Sequence, residues 1–286
     1  MANVRDQIYW LFMSGEDLFG AGLNYLHDTV TRNPGYWRLD FSIEFYRATA
    51  SVTSIIRMIA LQLVVVFFLI GFCSTAMDLR EQLNFENILK LFIKIGITQY
   101  FVIQCTNLTW ELYSLVIGII NSISVPLVAP GVAEISTAVY DMTDTSAMVF
   151  LFVAVFYLII CLGTTVMLMY MALSRMFKIS FAEIYGPLAF STIASGNRHI
   201  SDILPTYIKY IMSLLFEGIG IAIMLKLHTM FFGNTTSLFD ILADRETEPF
   251  FYCVTETISR CVLMILFVAL CKVAMDVPKK ALGLER

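Results

Sequence analysis

Charged residues are scarce in this chain. Asp, Glu, Lys and Arg make up 15% of its 286 residues, whereas soluble domains carry about 25%. Hydrophobic residues account for 58%, which is typical of a membrane protein. The net charge of −4 also argues against a nucleic-acid-binding surface, because such surfaces need clustered Lys and Arg.

Residue patterns typical of catalysis are also missing. The three histidines, His27, His199 and His228, lie far apart and outside any zinc-protease spacing. The six cysteines form no CxxC pair and lie mostly in apolar runs, where small buried hydrophobes are expected. No phosphate-binding loop or GxSxG occurs in the chain. We therefore expect no enzymatic activity, no metal and no cofactor, with bound lipid as the one compatible small molecule.

Long apolar runs are what the sequence has in abundance. A helix needs about 20 apolar residues to cross the hydrocarbon of a bilayer. Apolar runs of about this length recur along the chain and predict an all-α polytopic membrane protein. Its five predicted spans are residues 58–77, 95–124, 147–173, 207–228 and 257–276.

The chain outside these spans divides into two further predicted parts. Residues 1–57 mix aromatic and polar side chains at near-helical spacing, which predicts an extracytoplasmic amphipathic region. A helix lying on the membrane surface and a small helical domain on the outer face of the spans both fit. The transmembrane domain is then 58–276, and residues 277–286 form a cytoplasmic tail.

The distribution of Lys and Arg predicts the orientation in a cell membrane. Short cytoplasmic loops are enriched in these residues. Segments 78–94 and 174–209, together with the tail from 272, carry eleven of them, whereas 125–146 carries none. The N-terminus is therefore expected outside and the C-terminus in the cytoplasm, although Arg47 and Arg57 do not fit this pattern.

Several polar residues fall inside the predicted spans, where they are costly in lipid. Gln104, Asn107 and Glu111 share one helical face, so they either line a water-filled or protein-lined interior or hydrogen-bond between helices. For Glu111, a position at the outer membrane interface is a further alternative. Glu217 lies near the centre of its span and is expected to face another helix or subunit, with pore lining as the alternative. Glu256 and Arg260, four residues apart, can pair on one face of a helix.

A Gly-Pro pair interrupts the apolar segment 181–193, FAEIYGPLAFSTI. Proline removes a backbone donor, and glycine permits a sharp bend. Gly186 and Pro187 therefore predict a broken segment. Irregular backbone at membrane depth needs protein or water around it, so this segment is either re-entrant or lies along the cytoplasmic interface.

Residues 174–215, SRMFKISFAEIYGPLAFSTIASGNRHISDILPTYIKYIMSLL, resemble the central region of the TrbL-like polytopic channel subunits of type IV secretion systems. The size and the Met-, Phe- and Ile-rich composition look most like the conjugal-transfer members of Gram-positive integrative elements. The resemblance implies a non-enzymatic channel or scaffold subunit for conjugation and DNA transfer. Gly186, Pro187 and Arg198 would then shape its cytoplasmic entrance.

The partners implied by the resemblance are copies of the chain itself, in a cyclic homo-oligomer of five or six, and membrane lipids. A secretion ATPase and other membrane subunits of the secretion machine would sit beside this ring. The transferred DNA–relaxase complex would be contacted only indirectly, because the sequence has no basic stripe to guide phosphates. Two alternatives stay open, namely a small-solute secondary transporter, to which Glu217 and the Gly-Pro pair also point, and a non-conducting scaffold.

Overall fold

The described part of the chain is almost entirely helical. The structure is a computed structural model that describes residues 4–33, 42–78, 85–123, 133–195, 200, 202–233 and 248–284, and no strand occurs among them. The helices are α1 (Val4–Thr31), α2 (Ser42–Asp78), α3 (Phe85–Ile123), α4 (Ala133–Tyr140), α5 (Asp144–Ser191), α6 (Ile203–Gly233) and α7 (Pro249–Ala281). A short 3₁₀ turn, Thr192–Ala194, follows α5.

Four of the described helices are long and apolar enough to cross a membrane. They contain the segments Ile43–Cys73, Asp144–Ala194, Ile203–Met230 and Pro249–Ala281. These segments overlap four of the five predicted spans, and they support a multi-pass membrane protein. The predicted count of five is not confirmed.

The remaining predicted span, 95–124, lies in α3. This helix has 39 residues and is long enough to cross, but it is not among the four apolar helices. The physical reason is its amide and carboxylate content, since Gln99, Gln104, Asn107 and Glu111 all fall within it. Amide and carboxylate groups are costly in hydrocarbon.

The predicted break at Gly186–Pro187 is wrong. Both residues lie inside α5, which continues to Ser191 over 48 residues, about 72 Å at 1.5 Å per residue. Proline in a helix interior costs one backbone hydrogen bond, but neighbouring groups can satisfy the carbonyls around it. The carbonyl that Pro187 leaves without a backbone donor is that of Glu183, four residues earlier. Beside it, the Tyr207 hydroxyl on α6 donates to the Ala182 carbonyl at 2.8 Å.

The chain forms two compact units. The first unit comprises Met1–Thr31, Ile120–Leu173 and Gly220–Met275, and the second comprises Arg32–Ile119, Ser174–Ile219 and Asp276–Arg286. The helices α5, α6 and α7 therefore each contribute residues to both units. We describe each unit by its own contacts.

In the first unit, α1 packs lengthwise on the early part of α5. The Phe12 ring stacks on Phe150 and on Tyr157, with centroid separations of 5.8 Å and 4.5 Å. At the start of α1, Arg5 donates to Asp144 Oδ1 at 3.0 Å. The helix thus lies alongside residues of the predicted span 147–173. Its extracytoplasmic placement, on the surface or in a small domain, stays a prediction.

In the second unit, α2 and α3 pack around the end of α5. Ala60, Val64 and Val102 are buried together with Ala194, and the Phe101 ring stacks on Phe190 at 5.9 Å. Small and β-branched residues at these contacts allow helices to approach closely in a membrane protein.

Candidate functional site

The exposed surface of α3 has two chemically different faces. One face, which we call the α3 polar face, carries Gly96, Gln99, Asn107, Glu111, Ser114 and Gly118, all exposed. Their spacings of three, four and eight residues place them on one side of a helix. Two exposed apolar or aromatic side chains, Tyr100 and Ile103, interrupt this face. A second exposed face is apolar and contains Ile97, Leu112, Leu115 and Ile119. The third side packs into the second unit through Thr98, Val102 and Cys105.

Two of the three polar residues singled out in this helix, Gln104 and Asn107, hydrogen-bond to each other. Asn107 Nδ2 donates to Gln104 Oε1 at 2.7 Å, which is a contact within α3 and not between helices. Asn107 and Glu111 are exposed, and Gln104 is half-buried. The polar face therefore presents hydrogen-bonding groups outward, next to an apolar face suited to lipid.

Glu217 is completely buried in the second unit. Its carboxylate lies 3.3 Å from the Lys178 ammonium, which comes from α5 and is 24% exposed. This contact is with another helix, as the first interpretation of Glu217 expects. Pore lining would need an exposed Glu217 side chain, and in the single chain this side chain is fully buried. The sequence indicates Lys178 only as one of the basic residues on the cytoplasmic side and gives no sign of its contact with Glu217.

Arg175 is buried beside this pair. Its Nη1 donates to the Leu214 carbonyl at 3.0 Å, whereas its Nε and Nη2 make no hydrogen bond within the described residues. A Cβ at Gly218 would overlap Nη2, so the guanidinium fits only because this position on α6 lacks a side chain. The second-unit cluster, Arg175, Lys178 and Glu217, thus contains two cations and one carboxylate.

The first unit contains a buried cluster of two carboxylates and one cation. Arg260 on α7 donates through Nη1 to Glu16 Oε1 at 2.7 Å and through Nε to Glu256 Oε1 at 3.0 Å. The pair of Glu256 and Arg260 that their spacing allows is therefore confirmed. Burial raises the pKa of Glu16 to about 7, and the opposing effect of Arg260 is smaller.

Glu16 was not predicted as part of a site. A usable signal was present, because Phe12, Glu16, Phe19 and Leu23 recur at spacings of three and four, the period of a buried helix face. A carboxylate in such a row needs a buried partner. The sequence alone could not identify that partner as Arg260, which is 244 residues away.

The predicted cytoplasmic entrance is only partly described. Gly186 and Pro187 are buried in the second unit. A Cβ at Gly186 would lie 2.7 Å from the Tyr207 hydroxyl oxygen, so this glycine permits the close approach of α6. Arg198 lies outside the described residues.

An apolar cavity of about 490 Å³ lies in the second unit. Its lining includes Leu63 and Phe67 of α2, Leu188 of α5, and Tyr207 and Tyr210 of α6. The composition is compatible with a lipid chain, the one small molecule expected from sequence. No group of His, Cys, Asp and Glu suited to a metal ion occurs among the described residues.

No protein-family model, no curated protein and no solved structure matches this chain.

Proposed function

We propose that the chain is a membrane channel or scaffold subunit of a conjugative type IV secretion machine. It assembles with copies of itself into a homo-oligomeric ring of five or six, and partner ATPases supply the work. The type of machine is supported by the resemblance of residues 174–215 to TrbL-like subunits. The orientation in the cell membrane, with the N-terminus outside, belongs to the same proposal.

The α3 polar face is the observation that carries the assembly. In a helix surrounded by lipid, Glu111 and the amide oxygen of Asn107, which the bond to Gln104 does not use, would lack polar partners, which is costly in hydrocarbon. Both side chains are exposed, so a partner copy or an aqueous interior must cover them. The neighbouring apolar face, with Leu115 61% exposed, then faces lipid. In a ring, one helix of each subunit can contact a neighbouring copy or water with one face and lipid with another.

The first experiment deletes the gene and restores it with variants of α3. Asn107→Leu combined with Glu111→Leu should reduce conjugation by about tenfold or more, because each polar contact left unmade costs about 1–3 kcal/mol. Leu115→Ala, on the apolar face of the same helix, is the matched control and should transfer normally. Normal transfer by the deletion strain would contradict the proposal.

The second experiment examines assembly directly. The full chain is purified in mild detergent and imaged as single particles, and a cyclic ring is expected. The double Leu variant should change the subunit number or release monomers, whereas Leu115→Ala should not. A monodisperse monomer of the native chain would rule out the ring.

A small-solute secondary transporter is the second candidate. The buried contact between Glu217 and Lys178 favours it, since intramembrane charges often belong to ion pathways. Glu217→Gln would then abolish proton- or sodium-coupled uptake in vesicles, while deletion of the gene would leave conjugation unchanged.

A further inference from the structure

The charges of the first-unit cluster do not balance. Glu16, Glu256 and Arg260 have side chains that are 7%, 13% and 10% exposed. Two carboxylates thus share one guanidinium away from water. Within the described residues, no other Lys or Arg makes an ion pair with either carboxylate. A buried site with one surplus negative charge favours the uptake of a cation, and the smallest available is the proton.

A second buried group, the Tyr157 hydroxyl, interacts with the same cluster. Tyr157 on α5 is fully buried, and its hydroxyl interacts with the neighbouring Cys161 thiol without forming a well-aligned hydrogen bond within the described residues. The ring edge lies against α1, since a Cβ at Gly15 would be 3.0 Å from Tyr157 Cε1. Glu16 is the next residue, and the hydroxyl interacts electrostatically with both Glu16 and Arg260. The neighbouring Cys161 thiol donates to Met264 Sδ.

We propose that this cluster is a proton-binding site in which Glu16 takes up one proton from solvent. The proton binds a carboxylate oxygen of Glu16 and leaves Glu256 as the one ionised carboxylate opposite Arg260. A hydroxyl can donate to an ionised carboxylate and accept from a protonated one, so Tyr157 can partner Glu16 in both states. The titratable and charged groups facing Glu16 are Arg260 and Glu256 from α7, Tyr157 and Cys161 from α5, and Asp17 from α1.

The positions of the two carboxylates decide which one holds the proton. Glu256 pairs with Arg260 within the same helix and is the more exposed of the two. Glu16 is more buried and reaches Arg260 from another helix. The ionised form is disfavoured most where water is excluded most. Glu16, the more buried of the two, is therefore the acceptor.

The proposal goes beyond the secretion function and does not depend on it. Its test is infrared difference spectroscopy of the purified full chain in detergent as the pH is lowered. A carboxyl C=O band of a protonated, buried side chain should appear with a midpoint near neutral pH. Glu16→Gln should remove this band. Glu111→Gln, which changes an exposed carboxylate on α3, is the matched control and should retain it.

Two further variants keep the test decisive if Glu16→Gln fails to fold. Glu256→Gln leaves one carboxylate for one guanidinium, so the midpoint should fall by at least about one pH unit. Tyr157→Phe removes a hydroxyl that interacts electrostatically with Glu16 and should therefore move the frequency of the band. Persistence of the band in Glu16→Gln, or an unchanged midpoint in Glu256→Gln, overturns the proposal. Displacement of the band by sodium at constant pH and ionic strength also overturns it, in favour of a metal cation.

Discussion

The two buried charge clusters contain the same number of ionisable groups with opposite surplus charge. In the first unit, Arg260 lies between two carboxylates and donates to both. In the second unit, Glu217 accepts from Lys178, and the second cation, Arg175, donates to the backbone carbonyl of Leu214. The surplus cation directs one donor to a backbone carbonyl and leaves Nε and Nη2 without a hydrogen bond within the described residues, whereas a surplus carboxylate needs a proton or another donor.

Removing the arginine of each cluster should have the largest and most unequal effects. Arg260→Met leaves two buried carboxylates without a cation and should destabilise the protein by about 3–5 kcal/mol. Arg175→Met leaves the contact between Lys178 and Glu217 intact and removes two unsatisfied donors, so its cost should be about 1 kcal/mol or less. Thermal unfolding in detergent measures both.

The double variant Arg260→Met with Glu16→Gln provides the control for the first cluster. Removing one of the two uncompensated carboxylates should recover part of the lost stability. If Arg260→Met and Arg175→Met lowered the unfolding free energy equally, the two clusters would not differ in how they depend on their arginine.

The fit of Arg175 against α6 can be tested at Gly218. Gly218→Val places side-chain atoms where Nη2 lies and should cost about 1–3 kcal/mol by overpacking. The same substitution in an Arg175→Met background should cost less. Gly163→Ala is the control, since a Cβ there meets nothing within 4 Å, and the helix should gain about 0.5–1 kcal/mol.

The pH dependence of stability should distinguish the first cluster. The pKa of Glu16 is raised from 4.5 to about 7 in the fold. The folded state therefore binds more protons than the unfolded state between these values, and stability is greatest below about pH 4.5 and is lost as the pH rises through 7. From pH 5.5 to 8.5 we expect a loss of about 1–2 kcal/mol.

Glu16→Gln should flatten this dependence, and Glu217→Gln should leave it in place. Unfolding temperatures recorded across the pH range provide the measurement. A native chain that becomes more stable toward pH 8.5 would contradict the assignment of the cluster.

The smallest effect is expected at an ion pair outside both clusters. Asp144 is 96% exposed where it meets Arg5, and exposed pairs contribute about 0–1 kcal/mol. Asp144→Asn should therefore change the unfolding free energy by less than about 0.5 kcal/mol. A larger loss would mean that an exposed ion pair contributes as much as a buried one, and burial would then not explain the large effect expected at Arg260.

Residues inside a single helix were the most predictable part of the molecule. The pair of Glu256 and Arg260 followed from a spacing of four, because such residues are neighbours on any α-helix. Four predicted spans overlap apolar helices for a similar reason, since length and hydropathy are local properties. The polar character of 95–124 was visible in Gln104, Asn107 and Glu111, but whether they faced outward was not.

The segment around Gly186 shows where local reasoning was wrong. Glycine and proline favour a bend when considered alone, and α5 nevertheless continues through both residues. A contact from α6 accompanies the continuous helix, because the Tyr207 hydroxyl donates to the Ala182 carbonyl and occupies the space that a Cβ at Gly186 would need. Nothing in the sequence of 181–193 specifies that contact.

The sequence by itself determined the class of the protein, because the free energy of moving long apolar runs out of water depends only on the residues in each run. It also determined the pairing of charges within one helical turn. Only the tertiary structure decided which charges meet between helices, Glu16 with Arg260 and Lys178 with Glu217. These contacts depend on the packing of distant segments, and the Coulomb energy that holds them changes severalfold with burial.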